Sequence, residues 1–200
     1  MRDPGIGRVL VASLHQGIAD LLPTRIEFYE NWLNPAGLRE GTIGLAPLAA
    51  VLSFLRREGE AYALITSRAG EYAAEWTVAD LSSVERAAAR MLPVRLRSAV
   101  ALRVARRMIR RSYANSRGIV RFRKGTATVD IRGSIFCGVR EATPHPLCGF
   151  YAAAFARVLQ LFNLDAEAAV TRCRGTGDTA CLLTIEVHGP KTAAEAAVAT

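Results

Sequence analysis

The four cysteines of this chain, Cys137, Cys148, Cys173 and Cys181, all stand in the last third of its 200 residues. Two of them bracket a glycine-bearing turn, CRGTGDTAC, at positions 173–181. Thiols gathered in this way constrain the fold more than any other feature, because they mark segments expected to meet. In a reducing compartment such a group reads first as a metal site and only then as disulfides.

Half of the residues are apolar, enough to bury a core as one domain. The opening, MRDPGIGRVLVASLHQGIAD, carries Asp3 and only a short apolar run, so a signal peptide is not expected. The longest apolar run, Ile43 to Leu55, is interrupted by Pro47 and Ser53. It falls short of the roughly 20 residues that span a bilayer. A soluble, cytoplasmic protein without a transmembrane segment is the expectation.

Apolar residues at Val9, Leu10, Leu14, Ile18 and Leu21 predict a helix between Gly5 and Leu22. Thr42 is a candidate cap for a second helix through Leu45, Leu48, Val51, Leu52 and Leu55, stopped by Gly59. Thr66–Trp76 and Ser82–Met91 carry weaker helical patterns, and Pro93 separates them from a stronger one. In Arg95–Tyr113, Arg95, Arg103, Arg106, Arg107 and Arg110 share one side, with Leu102, Ala105, Met108 and Ile109 opposite. No acid occurs between Glu85 and Asp130. This basic face is either a solvated surface or a dock for an acidic partner, whether protein, nucleic acid or lipid headgroup, with Arg103, Arg106 and Arg110 as candidate docking residues.

The period then shortens to two. Ile119–Phe122 and Thr126–Cys137 predict strands joined by the turn Arg123-Lys124-Gly125, with Val129, Ile131, Ile135 and Cys137 sharing one face. Leu147–Phe162 returns to a helix that is apolar over a wide arc, its alanines allowing close approach of a neighbour. Glu167–Cys173 and Cys181–Val187 predict a hairpin around the turn at 173–181. The resulting class is α/β (α+β): N-terminal helices, then a mostly antiparallel sheet packed on a long buried helix. A single domain over 1–188 is expected, with a mainly helical lead-in over 1–113 and the sheet, buried helix and cysteines over 118–188. A flexible tail over 189–200 follows.

Cys173 and Cys181, at the bases of a hairpin, can approach each other across paired strands. Cys148 opens the buried helix, where free amides and the helix dipole favour thiolate. Cys137, closing a strand, is placed to supply a fourth ligand. Four thiolates make a closed tetrahedral zinc site, structural rather than catalytic. The spacing is not a double Cys-x-x-Cys ribbon, so core thiols and an iron–sulfur cluster remain open readings. His145, close to Cys148, is a further candidate ligand. Gly175 and Gly177 join two strands with no Lys-Ser/Thr after them, which suits a turn better than a phosphate loop.

Ser134–Val187 resembles the 4-vinyl reductase domain family, through Cys148-Gly149-Phe150-Tyr151 opening a helix of small and aromatic residues and Cys173-Arg174-Gly175-Thr176-Gly177-Asp178 leading to Cys181. That family includes bacteriochlorophyll 4-vinyl reductase-type proteins and the sensor domains of phenol- and xylene-responsive activators, and shares its fold with vesicle-tethering TRAPP subunits. In the sensor members, the cysteines matching Cys148, Cys173 and Cys181 bind zinc, with a glutamate three residues before the middle one. Here that position is Val170, so Cys137 is the expected substitute. The resemblance implies a zinc-stabilised sensory domain, a homodimer, binding an apolar or aromatic ligand in a hydrophobic pocket lined by residues such as Phe150, Tyr151 and Phe155. It also leaves open an accessory or reductase-like role in tetrapyrrole metabolism, or a TRAPP-like scaffold. No Rossmann fingerprint, Ser-His-Asp set or nucleotide-binding lysine loop occurs, so an enzyme is not the favoured reading.

Overall fold

Residues 5–33 and 44–189 are described in the computed structural model. Thr42, the candidate cap, and the expected tail beyond Gly189 lie outside the described residues. The helices are α1 (Arg8–Leu21), α2 (Ile26–Leu33), α3 (Leu45–Arg57), α4 (Glu60–Ala79), α5 (Ser83–Met91), α6 (Val94–Ser112) and α7 (Gly149–Leu161). The strands β1 (Arg117–Arg123), β2 (Thr126–Arg132), β3 (Asp165–Arg172) and β4 (Cys181–His188) form one sheet in the order β1-β2-β4-β3. Every pairing is antiparallel. The α+β class is therefore observed, with the helices leading.

The centre of the helical part is α4, which packs most extensively on α7 and then on α1. Its hydrophobic pattern marks only Thr66–Trp76, yet the helix runs for 20 residues. The reason lies in what it buries. Thr66, Ala69, Gly70, Ala73, Ala74 and Thr77 are all inside, and such small side chains give little hydrophobic contrast. They matter because they let backbones approach. A Cβ on Gly70 would sit 2.2 Å from the carbonyl oxygen of Phe150, and one on Gly17 of α1 would sit 2.9 Å from that of Ile65. Where side chains reach past this contact, Arg157 of α7 donates two hydrogen bonds, at 2.7 and 2.9 Å, to Glu75.

Several boundaries differ from the sequence pattern. The first helix starts at Arg8 instead of Gly5, and Leu21, placed in its apolar stripe, is 43% exposed. Ser82 caps α5 through a capping box with Glu85, whose carboxyl is drawn below its ordinary range by the Ser82 amide and hydroxyl. The β1–β2 turn is tighter than expected. Only Lys124 and Gly125 lie between the paired Arg123 and Thr126, both at positive φ as a two-residue hairpin loop requires. The second strand ends at Arg132, so Cys137 does not close it. Gly133 turns the chain out of the sheet at φ +67°, where a Cβ would come within 2.4 Å of the Asn115 carbonyl oxygen, and Ile135–Cys137 is a single 3₁₀ turn.

The closeness of α4 and α7 sets an expectation. Gly70→Val forces the helices apart, and overpacking of this kind costs about 1–3 kcal/mol. The denaturant midpoint of unfolding should fall accordingly; an unchanged midpoint would show that the two backbones do not meet at Gly70.

Candidate metal centre

Four separate pieces of chain deliver the cysteines to one point. Cys137 ends the 3₁₀ turn after β2, Cys148 is the residue before α7, Cys173 follows β3, and Cys181 opens β4. The Sγ atom of Cys137 lies 3.2 Å from that of Cys148, 3.4 Å from that of Cys173 and 3.6 Å from that of Cys181. Cys173 and Cys148 are 3.8 Å apart, and all four sulfurs fall within 4.8 Å of one another. Cys148, Cys173 and Cys181 are buried, while Cys137 is half-buried. These separations exceed the ~2.05 Å of a disulfide. They surround the ~3.8 Å edge of a sulfur tetrahedron built on metal–sulfur bonds of about 2.3 Å.

A β-bulge makes the meeting possible. On β3, Ala166, Ala168 and Val170 turn toward the core, and strict alternation would send Cys173 to the other face. The register shifts between Val170 and Arg172, where Val170 pairs with Leu183 and Arg172 with Leu182, leaving Thr171 as an extra residue. That one-residue insertion reverses the parity and brings Cys173 inside, level with Cys181. Val170 stays on β3, half-buried.

The turn after Cys173 is held by its own polar atoms. The Cys173 amide donates to the Asp178 carboxylate at 2.9 Å, and the amides of Thr176 and Asp178 donate back to the Cys173 carbonyl. Gly177 takes the left-handed conformation at φ +94°, and a Cβ on Gly175 would lie 2.7 Å from the Leu147 side chain. Both glycines are thus explained by turn geometry and close packing. Facing this turn, Thr143 donates through its amide and hydroxyl to the Gly175 carbonyl.

Two backbone amides point at sulfur: Leu147 donates to Cys173 at 3.3 Å and Arg174 to Cys181 at 3.4 Å. Hydrogen bonds from Cys137 and Cys148, with the Leu147 amide, draw the Cys173 thiol well below its ordinary range. Cys181 comes down to about 7, through Cys137, Cys148 and the Arg174 amide. Cys148 moves the other way, raised first by its hydrogen bond with Cys137 and further by Cys173, Cys181 and burial. The expectation that the helix start favours a thiolate at Cys148 is corrected here. Its side chain makes no capping bond to the free amides of α7 and is turned toward the other sulfurs instead.

Sequence alone does not single out Tyr62 of α4, because nothing there shows what its hydroxyl meets. It donates to the Leu147 carbonyl at 3.1 Å, and the amide of the same residue holds Cys173. His145 is exposed and stands outside the sulfur group. Phe150, Tyr151 and Phe155 have no exposed surface, and Phe136, beside Cys137, stacks on Phe150 with ring centres 5.0 Å apart. Arg103, Arg106 and Arg110 lie on the exposed side of α6, apart from the cysteines.

Tyr62→Phe leaves the buried Leu147 carbonyl without its donor, a change costing about 1–3 kcal/mol. Thermal unfolding should move down, and a chelator should strip metal from the purified variant faster than from the parent. Equal stripping rates would show that Tyr62 does not steady the Cys173 side of the site.

No curated protein matches the chain. A family model does match, from the second residue of β2 to the next-to-last of β4, and takes in α7 and all four cysteines. Residues 127–187 are a 4-vinyl reductase domain, the family that the cysteine and glycine motifs resemble.

Proposed function

We propose that this chain is a zinc-stabilised small-molecule-binding or sensory domain. The observation that carries the metal is the sulfur group itself: four cysteine Sγ atoms within 4.8 Å, two of them receiving backbone amides. All-thiolate, tetrahedral and closed, such a donor set suits zinc in a structural role, with no position left for a substrate. A polynuclear iron–sulfur cluster spreads its cysteines around several irons, so sulfurs this close favour a single ion. Zinc would join β2, α7 and the β3–β4 hairpin at one point, coupling metal affinity to folding.

Domains of the 4-vinyl reductase family are small-molecule-binding or sensory modules, and one cleft fits that use. A cavity of about 420 Å³ lies between α3 and the turn after β2, lined among others by Leu45, Ala49, Leu52, Tyr113, Ser134 and Ile135. Its size is within the range of small-ligand pockets. Ser134 Oγ is 3.6 Å from Cys148 Sγ, so a ligand here would touch the turn that carries Cys137. The Tyr151 hydroxyl, close to Ser134 and Ser116, is buried and makes no hydrogen bond, a polar group that a ligand's polar end could satisfy. Phe136 links this turn to Phe150 and Tyr151, which ties the aromatic pocket candidates to the cleft.

Elemental analysis of protein purified without added metal should give about one zinc per chain, and Cys173→Ser should lose it with a marked drop in thermal stability. Iron with charge-transfer absorption, or metal retained by the variant, would contradict the assignment. Native mass spectrometry should show a homodimer with a retained small apolar molecule. Ala49→Trp, at an exposed position on the cleft wall, should displace that molecule while leaving the zinc; undiminished retention would place the ligand elsewhere.

A further inference from the structure

The corner between α5 and α6 exposes apolar side chains that serve no core. Met91 is 87% exposed, Val84 75% and Leu96 56%. Val84 and Met91 are seven residues apart, on one face of α5 with the exposed Ala87 and Ala88, while Ala89 turns inward. After Pro93, Leu96 stands on the outward meridian of α6 at 100° per residue, in line with Arg103, Arg107 and Arg110. The opposite face of α6 is the buried one, with Ala101, Leu102, Ala105, Met108 and Ile109.

The arginines of this face have few partners inside the fold. Among the described residues, Arg95, Arg103, Arg106 and Arg110 form no ion pair. Arg107 feels Glu85, and Arg111 lies 3.8 Å from Asp80. Arg103 with Arg107, and Arg106 with Arg110, are like-charge pairs at i,i+4, which oppose helix formation. They line a shallow hollow of about 240 Å³ together with Val100 and Val104. A row of cations that weakens its own helix is accounted for by an anion brought from outside.

Two polyanions could fit the charge, and the apolar residues choose between them. A nucleic acid backbone would use the arginines and leave Val84, Met91 and Leu96 in water. An anionic bilayer takes both, phosphates at the arginines and aliphatic side chains beneath the headgroups. We propose that the α5–α6 corner docks on an anionic membrane surface, with Val84, Met91 and Leu96 entering the headgroup region and Arg103, Arg106, Arg107 and Arg110 pairing with lipid phosphates. Docking of this kind lies on the membrane; no helix among the described residues is long and apolar enough to cross one. It does not depend on the identity of the metal or ligand.

The test is co-sedimentation of the full, metal-loaded chain with vesicles, each kind at low and moderate salt. The probes are vesicles of phosphatidylcholine alone and of phosphatidylcholine with about 30% phosphatidylglycerol, which supplies the anionic surface. Binding should be at least about tenfold tighter to the anionic vesicles and should weaken as salt screens the surface. The double variant Met91→Asp/Leu96→Asp and the triple variant Arg103→Glu/Arg107→Glu/Arg110→Glu should each lose at least about tenfold, with zinc content and circular dichroism unchanged. No binding to anionic vesicles at low salt would overturn the proposal. Binding that survives the aspartates would overturn it as well, as would tighter binding to duplex DNA or RNA that the aspartates do not affect.

Discussion

The convergence of four sulfurs is the constraint on which the C-terminal half of this molecule depends. Thiols are weakly polar and easily buried, but four of them within 4.8 Å are not an ordinary apolar contact. Each comes from a different piece of backbone, and the polar loops that bring them carry amides pointed at sulfur instead of at carbonyls. With zinc at the centre, those loops gain a shared anchor. Without it, thiols drawn toward thiolate would stand close together in a buried place, where like charges repel and desolvation penalises each of them. The hairpin, the turn after β2 and the start of α7 are thus understood as one cross-linked unit.

The helical part does a different job. Small residues on α4 let α1 and α7 approach to backbone contact, and α7 delivers Cys148 from its N-terminal end. Tyr62 on α4 then reaches the peptide of Leu147, beside Cys173. The same helix that forms the middle of the core therefore steadies the sulfur site, and the cleft between α3 and the Ser134 turn borders it. In the proposed sensory role, this adjacency gives a bound molecule a route to the rigid part of the domain: the cleft and the cysteines share the Ser134–Cys137 turn.

Much of this is legible from residue types and spacing, and the remainder has physical reasons for being hidden. Alternating burial in β2 and β4, the amphipathic α6 and the glycine turn after Cys173 follow from local patterns and reappear in the fold. The cysteines themselves announce a cluster. What they cannot announce is the Thr171 bulge, since parity along β3 points Cys173 outward until one residue is inserted into the ladder. Gly133 ending β2 short of Cys137 is similar: a glycine in a strand pattern does not say that a neighbouring carbonyl lies where its Cβ would be. The full length of α4 is hidden because helices packed through Ala, Gly and Thr lack a strong apolar stripe. Tyr62 is invisible for another reason, its partner being 85 residues away in sequence.

The central claim concerns the first coordination shell, and X-ray absorption at the zinc edge reads it directly on protein as purified. The account predicts four sulfur scatterers at about 2.3 Å and no nitrogen or oxygen. A shell containing nitrogen or oxygen, or fewer than four sulfurs, would contradict it, because the sulfurs of Cys137, Cys148, Cys173 and Cys181 would then not close around one ion.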